Sequence, residues 1–274
     1  MPSTTPLLIS VAIGLVAGLH SSTWGMYKDA PHEGFSWFKF FRSTFIAGLI
    51  AGPIFAVTSY DPTTAGGALM IFGLVYAIER AIAETYKTFF RQQDQSKYTI
   101  PMQLAVFGKP VESRGARYLV GLAYAGIMIG GVYGLVQAQA AWPELGTRTW
   151  IVLLGSLGGW FSAFGGAWKD APIEGFQIFK FFRSPLMAAG YALVLSFITD
   201  NVAAVVIAAE GFVIATTETY KTFFFPSKPR GKFANKPILF PEMLERRRYF
   251  VPLYAATWAM LLVGFAMVLM NPVR

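Results

Sequence analysis

The chain contains no cysteine and only two histidines, His20 and His32, in 274 residues. Without cysteine there is no disulfide, no thiolate nucleophile and no thiolate-held metal. Two histidines are too few for a histidine-based metal site. Charge is scarce as well: 14% of residues are Asp, Glu, Lys or Arg, against about a quarter in soluble domains. Also missing are a Walker A loop, a dinucleotide-binding glycine pattern, an H-E-x-x-H helix, a G-x-S-x-G elbow and a haem-attachment motif. Their absence removes the sequence signals of nucleotide-driven, zincin and hydrolase chemistry. No cofactor is expected.

Apolar sequence dominates instead. Hydrophobic residues make up 54% of the chain and fall in runs of about twenty residues, the length that crosses a bilayer as a helix. These runs predict an all-α polytopic membrane protein with about eight spans, at 7–26, 44–59, 65–88, 118–138, 150–168, 185–199, 202–224 and 250–270. The second and sixth are short unless the Phe-rich stretches 35–41 and 176–182 belong to them. No Lys or Arg precedes the first run, so it reads as a retained span, because a secretory signal peptide carries a basic leader. The expected location is the plasma membrane or an organellar inner membrane.

Basic residues are unevenly placed. With the spans alternating, the loops 27–43, 84–117, 168–183 and 218–248 lie on one side and hold twenty of the 23 Lys and Arg. By the positive-inside rule that side is cytoplasmic, which leaves both termini on the other. The net charge of +8 then reports orientation and contact with anionic lipid. Nucleic acid is not an expected partner, since the sequence has no aromatic-basic RNA motif.

An internal repeat organises the chain. K-D-A-P-H-E-G-F at 28–35 returns as K-D-A-P-I-E-G-F at 169–176, and the match continues to Ser43 and Ser184. Across those positions only His32/Ile173, Ser36/Gln177 and Trp37/Ile178 differ. E-T-Y-K-T-F-F at 84–90 recurs unchanged at 218–224, and Arg117-Tyr118 is echoed by Arg248-Tyr249. Two tandem four-helix repeats follow, 1–140 and 141–274. An even number of spans per unit inserts both the same way up, with a pseudo-two-fold axis along the membrane normal. Glycines at four-residue spacing (14/18, 48/52, 126/130/134 and 155/159) are expected to let helices pack closely inside the bundle.

The candidate sites are the charged residues that the repeat and the spans single out. In the K-D-A-P-x-E-G-F motif, Asp29 and Asp170 suit a helix N-cap, with a proline and then Glu33 and Glu174 in the first turn. Lys39, Arg42, Lys180 and Arg183 would anchor the helices at the interface. Alternatively these eight residues, with Lys28 and Lys169, line a central vestibule able to bind a hard cation, a phosphate or a lipid headgroup. Glu84 with Lys87, and Glu218 with Lys221, are spaced to pair on a helix.

Within the spans, Glu79, Arg80 and Glu84 form one group, with Arg80 and Glu84 four apart. Glu210 stands without a base within a turn, where the first unit has Tyr76. An intramembrane carboxyl of this kind marks a proton or cation site, or a partner for another helix. His20 is expected in a polar buried contact. The stretch 225–248, with Pro226, Pro229, Pro237 and Pro241, lies either extended on anionic lipid or docked on a partner.

Three functions fit these features. One is transport, or ligand or ion binding, at a site between the repeats. Another is an accessory role in a larger membrane complex, whose subunits would be partners beside the lipids. The third is an enzyme acting on a lipid phosphate.

Overall fold

The structure, a computed structural model, describes residues 4–225 and 231–273. Among them, eight helical segments are long and apolar enough to cross a membrane. Seven are α1 (Thr4–Glu33), α2 (Trp37–Thr58), α3 (Ala65–Thr85), α4 (Arg114–Ala141), α5 (Arg148–Glu174), α6 (Ile178–Leu195) and α7 (Val202–Phe223). A wider π-turn, Tyr86–Phe90, extends α3. The last segment joins a short turn, α8 (Met243–Arg246), through 3-10 turns to α9 (Val251–Met270). A two-residue hairpin, β1 (Ala105–Val106) with β2 (Lys109–Pro110), lies in the α3–α4 connection.

Local chemistry sets the helix ends. The Thr64, Ser113 and Asn201 side chains accept from the backbone N–H three residues on, at 3.0, 3.3 and 3.0 Å, and so start α3, α4 and α7. The K-D-A-P-x-E-G-F motif does the opposite of what its residue types led us to expect: it closes helices rather than opening them. Both α1 and α5 run through it and stop where Gly34 (φ 75°) and Gly175 (φ 79°) take the positive φ that glycine allows. Pro31 is tolerated in the last turn of α1. The Tyr27 carbonyl that it leaves without a helical donor accepts from Arg247 Nη1 at 3.3 Å. Asp29, Glu33, Asp170 and Glu174 therefore sit at the negative ends of helix dipoles and need cationic partners.

Close helix approach organises the bundle. The two innermost helices, α3 and α7, cross where Gly73 and Gly211 meet: a Cβ on Gly211 would collide with the Gly73 carbonyl. Phe72 stacks on Phe212 beside the crossing, with ring centroids 5.8 Å apart. On the flanks, α1 pairs with α2 and α5 with α6 through matched contacts. Gly18 lies against the backbone of Ser43 and Thr44, and Gly159 against that of Ser184 and Pro185. Gly14 and Gly155 meet Ala51 and Ala192 in the same manner. Among the last helices of the two halves, α9 packs against α1 and α3, whereas α4 packs on the Tyr86–Phe90 turn of its own half and on α7.

The α4 glycines do not follow the packing expectation. A Cβ at Gly126, Gly130 or Gly134 would meet nothing within 4 Å, and only Arg117 and Gly121 of α4 are buried. Elsewhere the perimeter is strongly apolar: Phe38 is 81% exposed, Leu49 78%, Phe179 80% and Ile129 72%. A surface of this kind suits hydrocarbon and not water.

The glycine contacts imply a graded response to a single methyl group. Gly159→Ala, pressed on backbone, is expected to destabilise the protein by about 1–3 kcal/mol. Gly126→Ala, facing open space, should stay within about 0.5 kcal/mol. Equilibrium unfolding of the two variants in detergent micelles would check this contrast.

Candidate functional site

One end of the bundle carries nearly all the charge. The ends of α1 and α5, the starts of α2 and α6, and the ends of α3 and α7 gather there. Each acidic pair of the repeated motif is engaged by a lysine. Lys232 Nζ lies 2.7 Å from Asp29 and 3.5 Å from Glu33, while Lys180 Nζ lies 3.5 Å from Asp170 and 2.7 Å from Glu174. Burial alone would lower the Lys232 pKa, but Asp29 and Glu33 outweigh it and hold the ammonium above the ordinary lysine value. Lys39 is exposed and Arg42 half-buried. Among the described residues, no three His, Asp or Glu side chains are grouped to hold a metal ion, and the engaged acids do not favour the cation reading of the motif.

The link between the halves runs elsewhere. Lys28, on α1, reaches Glu218 on α7 at 3.2 Å. The corresponding Lys169, on α5, lies within the electrostatic field of Glu84, on α3. Glu84 and Glu218 also pair along their own helices, with Lys87 at 2.9 Å and Lys221 at 3.5 Å. Arg80 pairs with Glu84, four residues on, and more tightly with Glu79. It clamps its neighbour Glu79 through two hydrogen bonds of 2.7 and 3.0 Å and stands 3.9 Å from Glu84. Its guanidinium lies over the Trp24 ring, 5.6 Å from the centroid, so the Glu79–Arg80 pair fills the space between α1 and α3.

The connecting segments cross over this charged end. Residues 231–250 fold back on α1 rather than lying extended; Pro226 and Pro229 fall outside the described residues. Leu239 and Phe240 N–H both donate to the Pro31 carbonyl, at 2.9 and 3.0 Å. His32 Nδ1 pairs with the Pro237 carbonyl at 2.9 Å, and its ring stacks on Phe233 at 4.4 Å. The α3–α4 connection reaches the end of α5, where Trp168 Nε1 donates to the Ala105 carbonyl at 2.9 Å and Gly108 abuts Pro172 and Ile173. The His32/Ile173 difference thus marks which connection each motif receives. The two connections also hold each other: Thr99 N–H donates to the Lys232 carbonyl at 2.8 Å. Tyr98 donates to Glu33 at 3.0 Å, and burial together with that carboxylate raises the Tyr98 pKa.

Between α5, α6 and α7 the charged end opens into a crevice of about 160 Å³. Its mouth carries Asp170, Lys180, Arg183, Glu218 and Lys221, and its wall runs down past Thr217 to Ser162. Ser162 donates to Glu210 Oε1. Glu210 Oε2 is enclosed with no hydrogen-bond partner, and so is the Thr217 hydroxyl. Among the described residues no cation pairs with Glu210. Tyr124, on α4, is near enough to feel the charge of both Glu210 and Glu84.

At the matching position in the first half, Tyr76 accepts from Trp24 Nε1 at 2.8 Å and pairs with His20 Nδ1 at 3.2 Å. His20 also stacks on Tyr254 at 4.2 Å, so it sits in the buried polar contact expected of it.

Of the residues singled out by the sequence, Asp170, Lys180, Arg183 and Glu218 line the crevice, and Glu210 lies behind its wall, bonded to Ser162. Asp29, Glu33, Lys39, Arg42, Glu79, Arg80 and Glu84 lie outside it, as does Glu174, reached only through Lys180. Ser162, Thr217 and Lys221 were not put forward as site residues. The recurrence of Ser162 as Ser21 was the one available signal. Lys232 as partner of Asp29 had none, because nothing local ties residues so far apart in sequence. Comparison with family models, curated proteins and solved structures returns no match.

The strap over α1 depends on its lysine. Lys232→Ala should raise deuterium uptake at 231–240 about fivefold, the loss of about 1 kcal/mol expected for a partly exposed pair. Lys39→Ala, at an exposed side chain, should leave uptake there unchanged.

Proposed function

We propose that this chain is an integral membrane protein that binds a small charged solute in the α5–α6–α7 crevice and moves it across the bilayer. The observation that carries this reading is the crevice itself. It leads from a charged mouth at one end of the bundle down to Ser162, which donates to Glu210, a carboxyl that no cation pairs among the described residues and that lies well inside a helix able to cross the membrane. Charges at such depth are costly and mark solute or proton paths. The site belongs to the second repeat and not to a space between the two.

The same reading includes two tandem four-helix units, 1–140 and 141–274, inserted in the same direction. The matched glycine contacts of α1–α2 and α5–α6, and the matched placing of Lys28 near Glu218 and Lys169 near Glu84, support it. The basic loops place the charged end in the cytoplasm, or on the equivalent side of an organellar inner membrane, and both termini opposite. Exposed aromatics beside Lys39, such as Trp37 and Phe38, suit anionic lipid at that face. A second reading, as a subunit of a larger complex, draws on the open glycine face of α4, which would accept a helix from another chain.

Reconstituted vesicles separate these readings. Flux of radiolabelled small ions should fall at least tenfold in Glu210→Gln and Lys180→Gln. Unchanged flux in both variants would remove transport through this crevice, and stoichiometric partners in mild detergent would favour the complex. Because the chain has no cysteine, thiols introduced at Thr63 and Gln93 report topology directly. They should label from opposite sides, Gln93 from the cytoplasmic one.

A further inference from the structure

We infer that the two halves have become a working crevice and a plugged copy of it, and that the working one admits a monoanionic oxyacid group, a carboxylate or phosphate ester. This rests on the binding site proposed above and adds its ligand class and its asymmetry.

The plug is visible position by position. Where the second half has Gly165 and Ala167, the first has Trp24 and Met26, both buried. Where the second has Val213 and Ile214, the first has Glu79 and Arg80, clamped together and stacked under Trp24. Glu210 is replaced by Tyr76, held by Trp24 and His20. Over the top, Met243 and Phe250 from the last connection pack with Met26, Ala30 and Phe40. Phe181, the counterpart of Phe40, instead lines the open crevice. A Cβ at Gly166, on the crevice lining, would meet nothing within 4 Å, so the second half keeps room there.

The ligand class follows from charge and donors. The lining holds three bases, Lys180, Arg183 and Lys221, against two acids, Asp170 and Glu218. That leaves a surplus of one positive charge. Lys180 bridges both motif acids, and Glu218 is held by Lys28 as well as Lys221. A cation entering would face an already positive mouth. An anion of one charge neutralises it, with a guanidinium, ammonium groups and the unpartnered Thr217 hydroxyl as donors. Roughly 12 Å of helix rise separates Asp170 from Ser162, so an anion at the mouth stays clear of the Glu210 carboxyl at the floor.

Thiol labelling tests this without knowledge of the natural solute. Ser162→Cys should react with a negatively charged sulfonatoethyl methanethiosulfonate at least tenfold faster than Ser21→Cys does. It should also prefer that reagent over the trimethylammonium analogue by several-fold. Thr217→Cys provides a second position in the crevice should the first variant fold poorly. Adding Gly165→Trp and Ala167→Met, the first half's own residues, should abolish the reaction.

Protection identifies the source of the anion. Acetate or inorganic phosphate, in phosphatidylcholine nanodiscs, should slow labelling if the group arrives in water. Phosphatidylglycerol nanodiscs without added anion should slow it if the group is a headgroup. Equal labelling at 162 and 21, a preference for the cationic reagent, or no protection by either source would overturn the inference. Labelling as expected with no flux would overturn only the transport reading and leave the binding site standing.

Discussion

The meeting of Gly73 with Gly211 is the contact on which the other packing depends. Two helix backbones touch there, and no side chain fits between them. Between helices in hydrocarbon no hydrophobic effect drives association, so dispersion over closely approached surfaces must hold them. With α3 and α7 locked at the centre, the α1–α2 and α5–α6 hairpins can pack on either flank through their own glycines. The last helix, α9, then reaches across to α1 and α3, and α4 touches α7 while resting on the extension of α3. That exchange ties the halves together, although the most extensive helix pairs, α1 with α2 and α5 with α6, are formed by neighbours in sequence.

The charged end obeys a second constraint. Acidic residues at the C-termini of α1 and α5 oppose the helix dipole and require cations. Each half meets that need differently. In the second, Lys180 lies within reach on the next helix. In the first, the cation is Lys232, from a connection that crosses the whole bundle. This difference goes with a last connection that lies down over α1, with His32, Pro31 and Gly34 as its landing points, while the end of α5 receives the α3–α4 connection at Trp168, Pro172 and Ile173 and keeps the crevice beside α6 and α7. The plug and the opening accompany an unequal solution to the same electrostatic demand.

Much of the architecture was legible in the residues. The apolar runs located all eight spanning segments, though they ended α1 and α5 too soon. Hydropathy stops at Met26 and Trp168, but the backbone stays helical until a residue with positive φ, and that residue is a glycine in both halves. The helix-start reading of Asp29 and Pro31 failed for a related reason. Asp, Pro and Glu in that order satisfy the rules for a first turn, and the same residues are tolerated in a last turn when other groups satisfy the carbonyl and the charge. Glu210 stood out because a carboxyl in an apolar run needs an explanation. Ser162 did not, since a serine in a span carries no such cost.

Composition and spacing determined what is local or additive: eight apolar segments, the side of the bundle that carries the charge, the duplicated blocks and the exclusion of cysteine chemistry. Each follows from the residues in one window or from a count along the chain. The tertiary structure alone decided which long-range lysine meets which acid, which connection covers which motif, and which of the two copies of the repeated block lies beside a crevice. Those outcomes depend on groups two hundred positions apart, as Lys28 and Glu218 or Asp29 and Lys232 nearly are. They are fixed by steric volume at a few unmatched positions, where Trp24 faces Gly165 in the alignment of the halves and Arg80 faces Ile214. A repeat in sequence states that two structures share an origin; which of them is filled is settled by what packs into it.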